Sequence, residues 1–191
     1  MKTKLEIYNH IACALQRFIK TTAMKKIAMT LVMAMSICYV DAQIASERDK
    51  KFIAEATQIS LFEIKLGELA QSNTSTPEIK TLGQHMIDDH TKAINELKAL
   101  GAKKSIVIPT ILTPEEYKKY DKIVKKQGKD FDKAYVNCMV KGHKKALCKF
   151  KKEAKDGDDY DVRTWASNSV PTLQQHENMS EETCSVVHKK G

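Results

Sequence analysis

Apolar residues return every three or four positions along four long stretches of the chain. This period predicts four amphipathic helices, each with one face turned to a core. The first is expected from about Glu47 to Ser72, with Phe52, Ala56, Ile59, Glu63, Leu66 and Ala70 on its seam. The turn-forming run NTSTP ends it. The second opens on Thr76 as N-cap, Pro77 at the first helical position and Glu78 at the positive end of the helix dipole. It is expected to run to Leu100 and to stop at Gly101, with a seam of Ile79, Leu82, Met86, His90, Ala93, Leu97 and Leu100.

A long connection follows, from Gly101 to about Gln127. It contains the extended-looking SIVIPTIL and a short helix opened by the capping box Thr113-Pro114-Glu115-Glu116. The third long helix follows Gly128 and runs to about Lys155, its seam made by Phe131, Tyr135, Met139, His143, Ala146 and Phe150. DGDD makes a tight turn. The fourth helix carries Val162, Ala166, Ser169, Leu173, His176 and Met179 inward, with Pro171 expected to kink it. A short loop makes its two helices antiparallel neighbours, whereas a connection of this length can span a whole bundle. The expected fold is therefore all-α: a ferritin-like four-helix bundle of two antiparallel hairpins joined by a long crossover that carries a short helix.

Residues 1–42 are set apart from this bundle. Met24-Lys25-Lys26 precedes an apolar run from Ile27 to Val40, and Ala42 is a small residue just before Gln43. A charged start, a short apolar stretch and a small residue at the end describe a secretory signal peptide. The run is too short for a comfortable membrane span. We expect a start at Met24, cleavage after Ala42, and an exported chain from Gln43 to Gly191, located in the periplasm or outer envelope. The first 42 residues hold six Lys/Arg and two Asp/Glu, so the remainder carries 26 basic against 22 acidic residues, a net +4. Acids interrupt both lysine-rich runs, which suits a solvated helix face, and no nucleic-acid partner is expected. Other partners and the oligomeric state are not legible. Of the exported cysteines, Cys138 and Cys148 are too far apart along one helix to bond, so any bridge would involve Cys184.

Each long helix places one metal-ligating side chain on its apolar seam: Glu63, His90, His143 and His176. Counted from the turns, the members of each hairpin differ in height by about one helical turn, roughly 6 Å. All four are thus expected at one level inside the bundle. Imidazole and carboxylate bind first-row transition metals, and helical bundles build metal sites this way. Asp88 and Asp89 are expected to orient His90 or to add an oxygen ligand. The exported chain's three methionines each lie one turn from a seam histidine: Met86 before His90, Met139 before His143, Met179 after His176. A full-length crossover would place all three thioethers on one side of the imidazoles. Thioethers suit Cu(I), and imidazole with carboxylate suits Zn or Fe. Methionine is also a common filler of helical cores.

The Glu-x-x-His pairs of diiron bundles are absent, as are a phosphate-binding glycine loop, a Gly-x-Ser-x-Gly elbow and Cys-x-x-Cys. No catalytic residue is assigned, and an enzyme ranks third. The two leading classes are a metal-binding envelope protein and a metal-free structural or interaction protein of the envelope, expressed under stress.

The segments FIAEATQISLFEIKLGELA, IKTLGQHMIDDHTKAINELKALG, FDKAYVNCMVKGHKKALCKFKKEA and VPTLQQHENM, in that order, resemble the exported bacterial family called domain of unknown function 4142. The resemblance spans about Asp49 to Met179. It implies a ferritin-like helical bundle in the cell envelope, with no established activity. It also implies recurrent polar positions matching Glu63, Asp89, His90, Asp132, Tyr135, His143 and His176.

Overall fold

The computed structural model describes residues 45–189. The expected start at Met24 and cleavage after Ala42 lie outside them. Five helices make up the described residues: α1 (Glu47–Asn73), α2 (Pro77–Lys104), α3 (Pro114–Val124), α4 (Gly128–Asp156) and α5 (Tyr160–Lys189). The four seams read from the sequence are the buried faces, with Ile59, Ala93, Ser169 and Met179 only partly covered. Among the described residues no helix is long and apolar enough to cross a membrane.

Hydrogen bonds at the two ends set the direction of every helix. At one end, Asp49 in the first turn of α1 accepts from the backbone amides of Asp158 and Asp159, in the turn between α4 and α5. At the same end, Lys104 in the last turn of α2 donates to Asp159 and Asp161 at 2.6 and 2.7 Å. At the other end, Thr74 and Thr76, between α1 and α2, donate to Asp132 in the first turn of α4, both at 2.6 Å. So α2 and α4 run the same way, and residues 105–127 pass from one end of the bundle to the other. On the way, α3 packs on α1 and α4. Gln58 of α1 holds the connection through Ile111 O and Thr113 N.

Local details depart from the sequence reading for physical reasons. Gly101 does not stop α2, which continues a full turn to Lys104 and ends on Ser105 in the left-handed region (φ 55°). Extending the helix delivers Lys104 to its two carboxylates. Gly101 is needed because the chain folds back over it: a Cβ there would lie 2.7 Å from the Ile108 side chain. Thr76 is the N-cap residue but makes no capping bond, because its hydroxyl is given to Asp132. At Thr113 half of the capping box forms: Glu116 N donates to its hydroxyl, while Gln58 takes the Thr113 amide. SIVIPTIL forms no strand, and α5 runs on through Pro171, which is exposed. Cys138, Cys148 and Cys184 are all free thiols.

The hairpin α1–α2 is closed by small residues. A Cβ on Gly67 would sit 2.5 Å from the backbone oxygen of Gly83, so the two helices touch backbone to backbone there. Along the bundle axis the apolar core falls into two clusters. One contains Leu66, Met86, Tyr135 and Met139; the other contains Ile53, Leu97, Phe150 and Leu173. Between them, each of the four seams carries a polar residue: Glu63, His90, His143 and His176.

Candidate metal centre

His90, His143 and His176 meet in this polar layer, one each from α2, α4 and α5. They are 4%, 1% and 1% exposed. Their ring centroids lie 5.2 to 6.1 Å apart. One ligating nitrogen from each lies within 4.8 Å of the other two. A tetrahedral ion with bonds of 2.0–2.1 Å needs nitrogens about 3.4 Å apart, so side-chain adjustment of roughly 1 Å closes the set.

Each ring is held by one nitrogen and leaves the other bare. His143 Nδ1 donates to the Met139 carbonyl at 2.9 Å. His176 Nε2 donates to the Asp89 carboxylate at 2.8 Å. His90 Nδ1 lies 3.3 Å from the Ser60 hydroxyl. The remaining nitrogens, Nε2 of His90, Nε2 of His143 and Nδ1 of His176, are buried without a hydrogen-bond partner. A carbonyl and a carboxylate only accept, so the tautomers of His143 and His176 follow: the bare nitrogen carries a lone pair. Metal-ligating histidines show this arrangement, with the distal N–H tied to an oxygen and the lone pair pointing at the ion. Burial, more than any other cause, pushes all three rings below the usual imidazole range, His143 to about 4. The neighbouring imidazoles lower His90 and His143 further, while Asp89 opposes the shift at His176. Neutral rings are the ligating form.

Not every expected participant arrives. Glu63 is buried (3% exposed) on the α1 seam, but the ligand set within 4.8 Å is the three histidines without it. Its Oε1 lies against Gly142, its Oε2 has no partner, and burial pushes it up to about 8. Asp89 serves His176 across the bundle, not the adjacent His90. Asp88 is exposed and accepts from Gln84. Asp132 belongs to the tie at the far end of the bundle, while Tyr135 is buried with its hydroxyl unpaired. Met86, Met139 and Met179 all pack in the same apolar cluster, on one side of the imidazoles. Ser60 was missed: it follows Ile59 on α1, and nothing in a lone serine's position announces that it will reach a ring on another helix.

The family model described as domain of unknown function (DUF4142) matches residues 40–183. The chain belongs to the DUF4142 family. No curated protein matches it significantly. Solved structures share the architecture of this DUF4142 chain. A DUF305 fragment from Deinococcus radiodurans superposes with a TM-score of 0.64 at 12% identity, over 76% of this chain and 98% of its own. CopM in its Cu(I)-bound form gives 0.59 at 18% identity, over 70% and 93%. CopM in its Cu(II)-bound form gives 0.57 at 16% identity, over 72% and 95%. At such identities the likeness concerns the fold.

Proposed function

We propose that this DUF4142 protein binds one transition-metal ion through His90, His143 and His176, as an exported protein of the cell envelope, with copper the leading candidate. One observation carries the reading: three buried histidines from three helices each bring a ligating nitrogen within 4.8 Å of the other two, and each ring keeps one nitrogen without a partner. A buried polar atom with no partner costs about 1–3 kcal/mol. Three such atoms on three clustered rings are explained by a ligand that satisfies them together. Copper is favoured because imidazole is a good ligand for it and Met86, Met139 and Met179 form an adjoining soft, polarisable layer. The shared fold with the copper-bound CopM structures points the same way. Zinc satisfies the same nitrogens. Glu63 stands beside the set as a neighbouring acid. Bound there, the ion would be buffered or stored.

The test is titration of untagged, metal-free protein with Cu(II), Zn(II) and, under reducing conditions, Cu(I), followed by calorimetry. We expect one ion per chain, lost in His143→Leu. A variant with all three methionines changed to leucine should weaken Cu(I) and leave Zn(II) unchanged if the thioethers participate. Sub-stoichiometric binding of every metal would instead favour a metal-free structural protein of the envelope.

A further inference from the structure

The bundle has four inter-helix seams, and they are not equally closed. The α1–α2 seam is sealed where Gly67 meets Gly83. The α4 and α5 helices pack against each other as a hairpin. The α1–α4 seam is roofed by the connection and α3, whose Leu112 and Ile123 enter the core. Among the described elements nothing crosses the α2–α5 seam. There a cavity of about 300 Å³ opens, and His90, His176 and Ser60 line it. His143 does not. Along the bundle axis, an apolar cluster lies on either side of the imidazoles.

We propose that this cavity is the entrance through which a metal cation reaches the three histidines, and that Asp89 is the carboxylate that receives it. The inference rests on the metal-binding reading above and adds its route. Asp89 lines the cavity, and its side chain is 40% exposed, whereas the His176 ring it holds is 1% exposed. It therefore has one side in water and the other on the site. Glu96 stands in the same wall, fixed by the Trp165 indole N–H at 2.9 Å. Lys92 is the single cationic side chain lining the cavity, and it pairs loosely with Glu96 at 4.0 Å. Two carboxylates against one ammonium make the mouth locally acidic in a chain of net charge +8. A concave, acidic mouth concentrates cations and speeds their capture. Ile59, Ala93, Phe150 and Leu173 supply an apolar part of the wall, and the other polar side chains there, such as Ser60, Asn168, Ser169 and Thr172, are neutral and bind a metal ion more weakly than imidazole. Oxygen receives the hydrated ion outside; nitrogen, the preferred donor for copper, holds it inside.

An entrance affects rates without affecting affinity. Trp165 is the only tryptophan in the chain and lines the cavity, so its fluorescence reports an arriving Cu(II) ion. The experiment is stopped-flow binding and release of aqueous Cu(II) by the full exported chain, compared with Thr172→Phe at the exposed rim and Ala93→Phe on the wall. Circular dichroism checks that each variant is folded, and the rim variant serves if the wall variant is not. We expect association and release to slow by a common factor, about tenfold, with Kd unchanged. Tyr120→Ala, which loosens the roof over the opposite seam, should change neither rate. Asp89→Asn should slow capture and flatten its dependence on salt. Wild-type rates in both cavity variants, at intact affinity, would overturn the entrance alone. Faster uptake in Tyr120→Ala would move it to the roofed seam. A change in Kd with release unaltered would make the cavity part of the site and overturn it too. Wild-type protein that binds no ion at all would take down the metal reading and the entrance together.

Discussion

Two of the groups of buried polar side chains in this bundle are finished differently. At one end, Asp49, Lys104 and Asp159 are 0%, 9% and 2% exposed, and each is fully partnered. Asp49 accepts from Ser46, Asp158 and Asp159. Lys104 bridges Asp159 and Asp161, while Asp159 also caps α5 through the amides of Asp161 and Val162. In the middle, each of three buried histidines has one nitrogen held and one bare. The first group ties α1, α2 and the α4–α5 turn together, and its bonds are made within the chain. The second would be a worse core than leucine unless something outside the chain completes it. Between these two groups it is the completeness of the hydrogen bonding, not burial, that differs.

The comparison breaks most readily at Lys104. Changing Lys104 to Met leaves Asp159 buried without its cation, and losing one partner of a buried pair costs about 3–5 kcal/mol. Urea unfolding should show that loss while metal affinity is unchanged. A smaller loss, or a loss of metal binding, would mean that the two groups are not independent.

Adding the ion should do the opposite in the middle layer. At a free concentration a hundred times Kd, a ligand specific to the folded state stabilises it by about 2.7 kcal/mol. Thermal or urea unfolding of wild-type protein should show that gain, and His143→Leu should show none.

Within the end group Glu153 is the exception, and pH sharpens the contrast there. Burial and the adjoining Asp49 carboxylate push it up to about 7 from an ordinary 4.5, against the pull of Arg48. Between those pH values the unfolded chain has lost this proton and the folded chain keeps it. Its contribution is therefore full below about pH 4.5 and falls as pH rises, until it is gone above about 7. At about 1.4 kcal/mol per pKa unit, partly offset by solvent near the helix end, the slope amounts to on the order of 2 kcal/mol. Glu153→Gln should remove that slope from the pH profile of unfolding; a parallel profile would place the proton elsewhere.

The smallest effect is expected from His143→Leu in the absence of metal. Replacing a half-satisfied buried ring by an apolar side chain of similar size should shift stability by less than about 1 kcal/mol, in either direction. A large loss would show that the imidazoles support the fold, and would weaken the distinction between the two groups.

Much of this was legible before any coordinates. The four seams follow from the helical period, because a helix must bury one apolar stripe wherever it packs. The level of His90, His143 and His176 follows from counting residues from the hairpin turns at a fixed rise. The methionines' shared side follows from the same counting, once the connection is taken to span the bundle. What the sequence could not determine is which way each polar group turns within its layer. Asp89 is adjacent to His90 in the chain but bonds His176, because consecutive helical residues point about 100° apart and Asp89 faces α5. Glu63 occupies the right seam, yet its carboxylate lies against Gly142 of α4, outside the ligand set. Gly101 looks like a helix stop, and only the chain folded back over it explains its small size. Period and spacing are properties of one helix and can be read from its residues. Partnership, ring orientation and the open seam between α2 and α5 depend on how four helices rotate against each other, which only their packing decides.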